Sequence, residues 1–144
     1  MSLLNYLSER SSSDHLLWTN GAWCSVGKAC RRAYLIRDRY KELIECQVLL
    51  FASNDEDMIM GLLAFDGFAE KILLAGNSTR ASEIKAIEAA FEHYNIVDVS
   101  TIDFSEIGDD SIDGIEDKSE TGWIIPTSGT TGSPKLVEHS LINL

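Results

Sequence analysis

Short apolar runs and segments of helical periodicity alternate along the middle of the chain, and this alternation limits the fold more than any other feature. The apolar runs are Gln47–Ala52, Lys71–Ala75 and Ile96–Val99. Between them lie a nearly all-apolar helical segment, about Asn54–Phe65, and a second segment whose apolar stripe ends at Asn95. This order implies right-handed crossovers. We therefore predict an α/β fold, with a largely parallel sheet flanked by helices.

A short N-terminal β-hairpin is expected before this alternation. The segments Leu16–Thr19 and Ala22–Ser25 flank Asn20-Gly21, a dipeptide that favours the type I′ hairpin turn. Trp18 and Trp23 stand beside the turn. They are either a stacking platform for a ligand or cross-strand packing in the core, and we favour packing.

Two helix starts are also predicted from capping residues. Ser25 is expected to cap an amphipathic helix whose apolar positions run from Val26 to Leu43. Ser53 and Glu56 have the spacing of a capping box and are expected to begin the apolar helix.

Charge and length exclude several classes of protein. The 144 residues suit one domain, and 12 Lys plus Arg against 23 Asp plus Glu give a net charge of -11. Such a charge repels nucleic acids and anionic membrane surfaces, although Arg31-Arg32 form one basic spot, which we interpret as a solvated helical face. The apolar stretch Met58–Phe65 is too short to span a bilayer. Without a recognisable signal peptide, we expect a cytoplasmic protein.

An acidic segment follows at about 100–120. Nine acidic residues and a single lysine lie between Asp98 and Glu120, which predicts a solvated acidic loop. Asp109, Asp110 and Asp113 are an alternative cation site, but the segment lacks the glycine and glutamate positions of an EF-hand loop. The histidines and the three cysteines are scattered without metal-ligand spacing. We therefore expect this chain to build no metal site.

A loop rich in glycine and hydroxyl residues carries the clearest chemistry. It follows a predicted buried strand at Trp123–Ile125 and spans residues 127–135, here called the phosphate loop. Its glycines let consecutive backbone N–H groups form a concave anion site, and its hydroxyls add donors. Lys135 adds a positive charge. The pattern indicates polyphosphate binding by Thr127, Ser128, Gly129, Thr130, Thr131, Gly132 and Lys135.

Two better-known phosphate motifs do not fit this loop. A Walker A loop starting at Gly129 requires glycine where Pro134 stands, and no GxGxxG dinucleotide motif occurs. A generic Gly/Ser/Thr-rich surface turn remains the alternative. The particular order of glycines, hydroxyls, proline and lysine favours phosphate binding over such a turn.

The segment TSGTTGSPK resembles the phosphate-binding signature of the adenylate-forming superfamily. This superfamily includes acyl-CoA synthetases, acyl carrier protein synthetases, peptide-synthetase adenylation domains and luciferases. The hairpin LLWTNGAWCSV, the strand QVLLFAS and the apolar helix precede the loop in the order seen in the family. The resemblance thus covers most of the chain, and it is most specific at the loop.

The resemblance implies an ATP-dependent, carboxylate-activating ligase. In such enzymes a carboxylate attacks the α-phosphate of ATP, which gives an acyl-adenylate and pyrophosphate, and a thiol of CoA or of a carrier-protein phosphopantetheine then takes the acyl group. The phosphate loop would hold the β- and γ-phosphates, with Lys135 as the catalytic residue that neutralises their charge. ATP and Mg²⁺ are the implied cofactors, with the Mg²⁺ ligand outside this chain.

Family enzymes are several times longer than this chain. We therefore interpret residues 1–144 as an incomplete N-terminal α/β subdomain of an AMP-binding domain, with Leu144 inside a helix that follows the loop. Such a piece is expected to be inactive alone. The alternative is a noncatalytic phosphate-binding or interaction module derived from such an enzyme.

Overall fold

The computed structural model describes residues 1–76, 81–90, 93–105, 117, 120–127 and 135–141. Within these ranges, no helix combines the length and the apolar character that a membrane crossing requires. The described part contains four α-helices and seven strands, in the order α1 (Leu3–Ser8), β1 (His15–Thr19), β2 (Ala22–Ser25), α2 (Val26–Arg39), β3 (Gln47–Ala52), α3 (Asp55–Phe65), β4 (Lys71–Gly76), α4 (Ala81–Ala90), β5 (Asn95–Asp98), β6 (Gly122–Thr127) and β7 (Lys135–His139).

Five of these strands form one sheet in the order β5-β3-β4-β6-β7. β3 is parallel to both β4 and β5, and β4 is parallel to β6. The predicted α/β fold with a largely parallel sheet is therefore confirmed. β7 was not predicted: it runs antiparallel to β6, so a strand rather than a helix directly follows the loop. Residues 142–144 lie outside the described part.

The N-terminal hairpin has the predicted turn. Asn20 and Gly21 have φ angles of 50° and 77°, as a type I′ turn requires. Trp18 pairs with Trp23 across the strands, and their rings meet edge to face at 5.3 Å. Cross-strand packing is thus confirmed, but its place in the core was wrong, because Trp18 is 59% exposed and Trp23 52%.

Helix boundaries differ from the predictions at three points. Ser25 caps α2 as expected, but the helix ends at Arg39 because the backbone of Tyr40 leaves the helical region, and a short 3-10 turn continues to Leu43. α3 is capped by Asn54, whose side chain accepts a hydrogen bond from the N–H of Asp57, and not by Ser53. Asn95 begins β5 instead of ending the preceding helix.

Helix α1 was not anticipated from the sequence, because six residues are too few to show a helical period. Ser2 caps it by accepting a hydrogen bond from the N–H of Asn5. Leu4 and Leu7 are buried and join the main core. The N-terminus is therefore part of the packed structure.

The sheet separates two apolar clusters, as strand alternation requires. The larger cluster lies between one face of the sheet and helices α1, α2 and α3, and includes Leu50 and Ile72. The smaller lies on the other face, where Leu49 and Leu73 meet Ile87 of α4. Helix α3 approaches β3 closely: a Cβ atom at Gly61 would lie 2.7 Å from Leu50 Cδ2, so only glycine fits there without movement of Leu50.

Candidate phosphate site

The two ends of the phosphate loop are held side by side. Thr127 is the last residue of β6 and Lys135 is the first of β7, and the two are direct cross-strand partners. The Thr127 hydroxyl donates a hydrogen bond to the backbone oxygen of Lys135 over 3.1 Å. The intervening residues, 128–134, therefore form the connection of an antiparallel pair.

The remaining predicted phosphate ligands lie outside the described residues. These are Ser128, Gly129, Thr130, Thr131 and Gly132. Their assignment stays a prediction from the sequence. The geometry that follows concerns Thr127, Lys135 and the framework that carries them.

The loop leaves the sheet at the edge where ligands of open α/β proteins usually bind. β6 is parallel to β4, and β4 is parallel to β3, so the carboxyl ends of all three strands point the same way. Ligands of such sheets bind in the crevice beyond these carboxyl ends. Thr127 marks this end of β6, and both it and Lys135 are exposed to solvent. A dissolved anion can therefore reach both residues.

Lys135 is not neutralised by the acidic residue nearest to it on its strand. Side chains alternate along a strand, so Glu138 points to the face opposite that of Lys135. Glu138 instead pairs with Lys71, at 3.1 Å. Among the described residues Lys135 makes no ion pair, so its charge is available to a ligand.

The strand that leads into the loop is fixed at its start by buried hydrogen bonds. The Thr121 hydroxyl donates to Ala69 O over 2.7 Å and accepts from the N–H of Gly67 over 2.8 Å. Two residues later the indole of Trp123 donates to Asp66 Oδ1 over 2.9 Å. Because these partners belong to the turn after α3, β6 is tied to the core before it reaches the loop.

A fully buried arginine stabilises the same turn. Arg37 of α2 donates from Nε to Ala64 O and from Nη2 to Asp66 O, both over 2.6 Å. Its ion-pair partner is Asp117, at 3.3 Å. Burial lowers the pKa of Arg37, and the nearby Asp117 carboxylate opposes that shift. The guanidinium thus bonds to two backbone carbonyls and one carboxylate.

Asp117 corrects the interpretation of the acidic segment. The sequence predicted a solvated loop at about 100–120, yet the side chain of Asp117 is only 17% exposed. Besides pairing with Arg37, its Oδ2 accepts hydrogen bonds from Ser2 N and Asn5 Nδ2. One residue of this segment therefore joins α1 to α2. Residues 106–116, which include the alternative cation ligands, lie outside the described part.

This buried network was missed in the sequence, although one signal was present. Arg37 falls on the apolar stripe of α2, four residues after Ala33 and next to Ile36, both fully buried. A charged residue on a buried stripe requires an acidic or carbonyl partner. The apolar stripe alone does not identify which acidic residue pairs with Arg37.

The described residues include no group of three His, Cys, Asp or Glu side chains arranged to hold a metal ion. At the loop ends the Thr127 hydroxyl already donates its proton to Lys135 O, so the Lys135 ammonium is the group that can contact an anion. Lys135 can therefore pair with a phosphate or a carboxylate.

No protein-family model and no curated protein sequence matches this chain. Solved structures do match it in fold. The NpsA N-terminal subdomain from Klebsiella oxytoca superimposes with a TM-score of 0.72 at 13% identity, over 95% of this chain and 40% of that one. O-succinylbenzoate coenzyme A synthetase (MenE) from Bacillus subtilis, solved with AMP, gives 0.63 at 15% identity, over 96% and 42%.

A nonribosomal peptide synthetase, FmoA3, matches with a TM-score of 0.65 at 11% identity, over 95% of this chain and 16% of its own. The chain thus spans about 40% of the length of the NpsA and MenE structures. At these identities the likeness concerns the fold. This chain has the fold found in the N-terminal subdomains of adenylate-forming enzymes.

Proposed function

We propose that this chain is the phosphate-binding, N-terminal part of an ATP-dependent ligase that activates a carboxylate as an acyl-adenylate. The observation that carries the proposal is the pairing of Thr127 with Lys135, which brings both ends of the phosphate loop together at the carboxyl edge of the sheet. The fold likeness supports it, since one NpsA subdomain structure holds 3-hydroxyanthranilyl-AMSN and one MenE structure holds the acyl-adenylate OSB-AMP.

In this proposal the loop stabilises the leaving group. An oxygen of the substrate carboxylate attacks the α-phosphorus of ATP, and the bond to the β-phosphate oxygen breaks with release of pyrophosphate. Negative charge grows on the departing pyrophosphate. The Lys135 ammonium offsets that charge, and the Thr127 hydroxyl holds the strand end that carries it. We assign Ser128, Gly129, Thr130, Thr131 and Gly132 as additional donors to the phosphates. Mg²⁺, when bound, would supply further charge compensation.

The second half of the reaction passes the acyl group to a thiol of CoA or of a carrier-protein phosphopantetheine. Support for this step comes from the resemblance and from the neighbours' names, which include a coenzyme A synthetase and a peptide synthetase. Those names fit either acceptor. A small carboxylate is the other substrate, and we place the protein in the cytoplasm, where ATP and such thiols occur together.

Calorimetric titration of the 144-residue chain with inorganic pyrophosphate and with ATP tests the phosphate assignment. We expect saturable binding that Lys135→Met weakens roughly tenfold, because one charge-assisted contact is lost. Lys85→Met is the matched control, since Lys85 is an exposed lysine on α4 and its loss changes the net charge equally. Absence of binding, or equal weakening by both variants, would contradict the assignment.

The noncatalytic alternative predicts the same binding. It differs in predicting that no carboxylate-dependent exchange of pyrophosphate into ATP occurs even when the downstream reading frame is expressed together with this chain. Exchange in that longer protein would establish the ligase. Phosphate binding without exchange would favour a binding module.

A further inference from the structure

The N-terminal hairpin and the start of helix α2 bring two exposed tryptophans together with basic side chains. Trp18 and Trp23 of the hairpin expose 59% and 52% of their surface. The first two turns of α2 contribute Lys28, which is exposed and lines a cleft with Trp23, and Arg31, which is half-buried. We call these four residues the hairpin patch. Neither the fold nor the proposed phosphate site explains why the two tryptophans are exposed.

The aromatic and basic halves of the hairpin patch are continuous. A shallow cleft of about 240 Å³ is lined by residues that include Trp23, Lys28 and Arg32. A second cleft, of about 170 Å³, is lined by Lys28, Arg31, Arg32 and Phe104. Because Lys28 and Arg32 line both clefts, the two clefts adjoin, and together they connect Trp23 with Arg31.

The two basic residues of the hairpin patch have no acidic partner in the described part of the chain: neither Lys28 nor Arg31 makes an ion pair there. The neighbouring Arg32 is partly committed, because it pairs with Glu56 at 2.6 Å and lies 5.0 Å from the ring centroid of Phe104. The patch is therefore a local positive surface on a chain whose net charge is -11.

The N-terminus of helix α2, which lies next to Lys28, does not offer a binding site for a small anion. Its first N–H groups already donate to Asp14 O, Ser12 O and the Ser25 hydroxyl. What remains is side-chain charge next to exposed indoles. Tryptophan and arginine are among the residues most enriched at the energetic centres of protein interfaces, and contiguous exposed apolar patches often mark interaction sites.

We propose that the hairpin patch docks an acidic segment of a partner protein, in which apolar side chains alternate with carboxylates. The apolar side chains would cover Trp18 and Trp23, and the carboxylates would pair with Lys28 and Arg31. An anionic membrane fits less well. Its charged plane would also face acidic parts of a molecule whose net charge is -11, whereas a short segment contacts only the patch. At physiological salt, charges more than about 8 Å apart are largely screened, so distant acidic residues of this chain repel the segment only weakly.

A designed peptide tests this proposal on the ¹⁵N-labelled 144-residue chain. The probe is a peptide of about 16 residues, long enough to form a helix, in which a row of Leu lies next to a row of Glu on the same side, so that both can contact the patch. The three tryptophan indole N–H signals report the site. We expect Trp18 and Trp23 to shift with saturation, while Trp123, whose indole is bonded to Asp66, stays in place.

Matched variants separate the patch from overall charge. Lys28→Gln with Arg31→Gln should weaken peptide binding roughly fivefold or more. Arg39→Gln with Lys41→Gln, at exposed positions at the other end of α2, changes the net charge equally and should have little effect. Trp18→Thr with Trp23→Thr should also weaken binding. If that variant alters the fold, the Lys28 and Arg31 variant still decides.

Several outcomes would overturn the proposal. These are no saturable shift, equal weakening by the control variant, or unchanged binding by the patch variant. A peptide with Lys in place of Glu that binds as well would do the same. Sedimentation with phosphatidylserine vesicles without peptide binding would indicate a membrane surface. Dimers that the tryptophan variant abolishes, again without peptide binding, would indicate self-association.

Discussion

The indole of Trp123 donates a hydrogen bond to Asp66 over 2.9 Å, and this contact joins β6, the strand that leads into the phosphate loop, to the turn after helix α3. The other oxygen of Asp66 accepts from the N–H of Leu3, at the start of α1. The backbone oxygen of Asp66 accepts from Arg37. Asp66 thus links α1, α2, α3 and β6. These hydrogen bonds fix the start of the strand that ends at Thr127.

Arg37→Met is expected to lower the free energy of unfolding by about 3 to 5 kcal/mol. The variant leaves Asp117 and two backbone carbonyls without the guanidinium that they contact. Urea unfolding measures the change. Arg39→Met, at an exposed position two residues later on the same helix, is the control and should change stability by no more than about 0.5 kcal/mol. Equal effects of the two variants would show that the buried network contributes little.

Asp66→Asn is expected to remove one component of the pH dependence of stability. Burial raises the pKa of Asp66 above its ordinary 3.8, although the hydrogen bonds from Leu3 and Trp123 oppose the shift. The native state therefore binds this proton more tightly than the unfolded state does. The stability from Asp66 is full below its ordinary pKa and is lost as pH rises through the raised value.

The measurement is urea unfolding of wild type and Asp66→Asn from roughly pH 3.5 to 7. The wild-type stability minus that of the variant should fall as pH rises. Asparagine does not titrate, and its amide accepts only one of the two hydrogen bonds, so an offset at every pH is also expected. A difference that is flat or that rises with pH would contradict the raised pKa.

Thr127→Val should weaken pyrophosphate binding severalfold, because the loop end is held less firmly, and should lower stability by no more than about 1.5 kcal/mol. Valine keeps the size of threonine but cannot donate to Lys135 O, and one such hydrogen bond is worth about 0.5 to 1.5 kcal/mol. Thr127→Ser restores the hydroxyl and should recover most of the affinity. If serine and valine bind pyrophosphate equally well, the hydroxyl has no part in the site.

Lys135→Arg should recover only part of the phosphate affinity lost in Lys135→Met. The planar guanidinium carries the same charge but does not fit where a compact ammonium binds. If the enzyme activates a carboxylate, Lys135→Met should slow adenylation on the order of a hundredfold, about 2 to 4 kcal/mol in the transition state, while thermal melting hardly changes. Unchanged adenylation in the methionine variant would mean that Lys135 is only a solvated residue at the start of β7.

The 144-residue chain by itself is expected to show no carboxylate-dependent exchange of pyrophosphate into ATP. It corresponds to about 40% of the NpsA and MenE structures, and catalysis requires that ATP and the carboxylate are both held in a near-attack geometry. Radiolabelled pyrophosphate exchange is the assay. Robust exchange by this chain would show that it holds both substrates without further residues.

The sequence by itself determined the features that depend on neighbouring residues. The period of the apolar residues identified β3, β4 and the helices between the strands, and Asn20-Gly21 fixed the hairpin turn, because both reflect local backbone preference. The phosphate loop was recognisable because its glycines, hydroxyls and lysine are consecutive. The antiparallel pairing of Thr127 with Lys135 was not, since it depends on a strand that was expected to be a helix.

Only the tertiary structure decided which polar groups meet in the interior and which apolar groups remain outside. Arg37 and Asp117 lie 80 residues apart, and no periodicity links two such positions. Trp18 and Trp23 are large aromatic residues in paired strands, which predicted that they pack in the core, yet both remain more than half exposed. Local sequence sets the conformation of each element, whereas the burial of a side chain depends on which distant element packs against it.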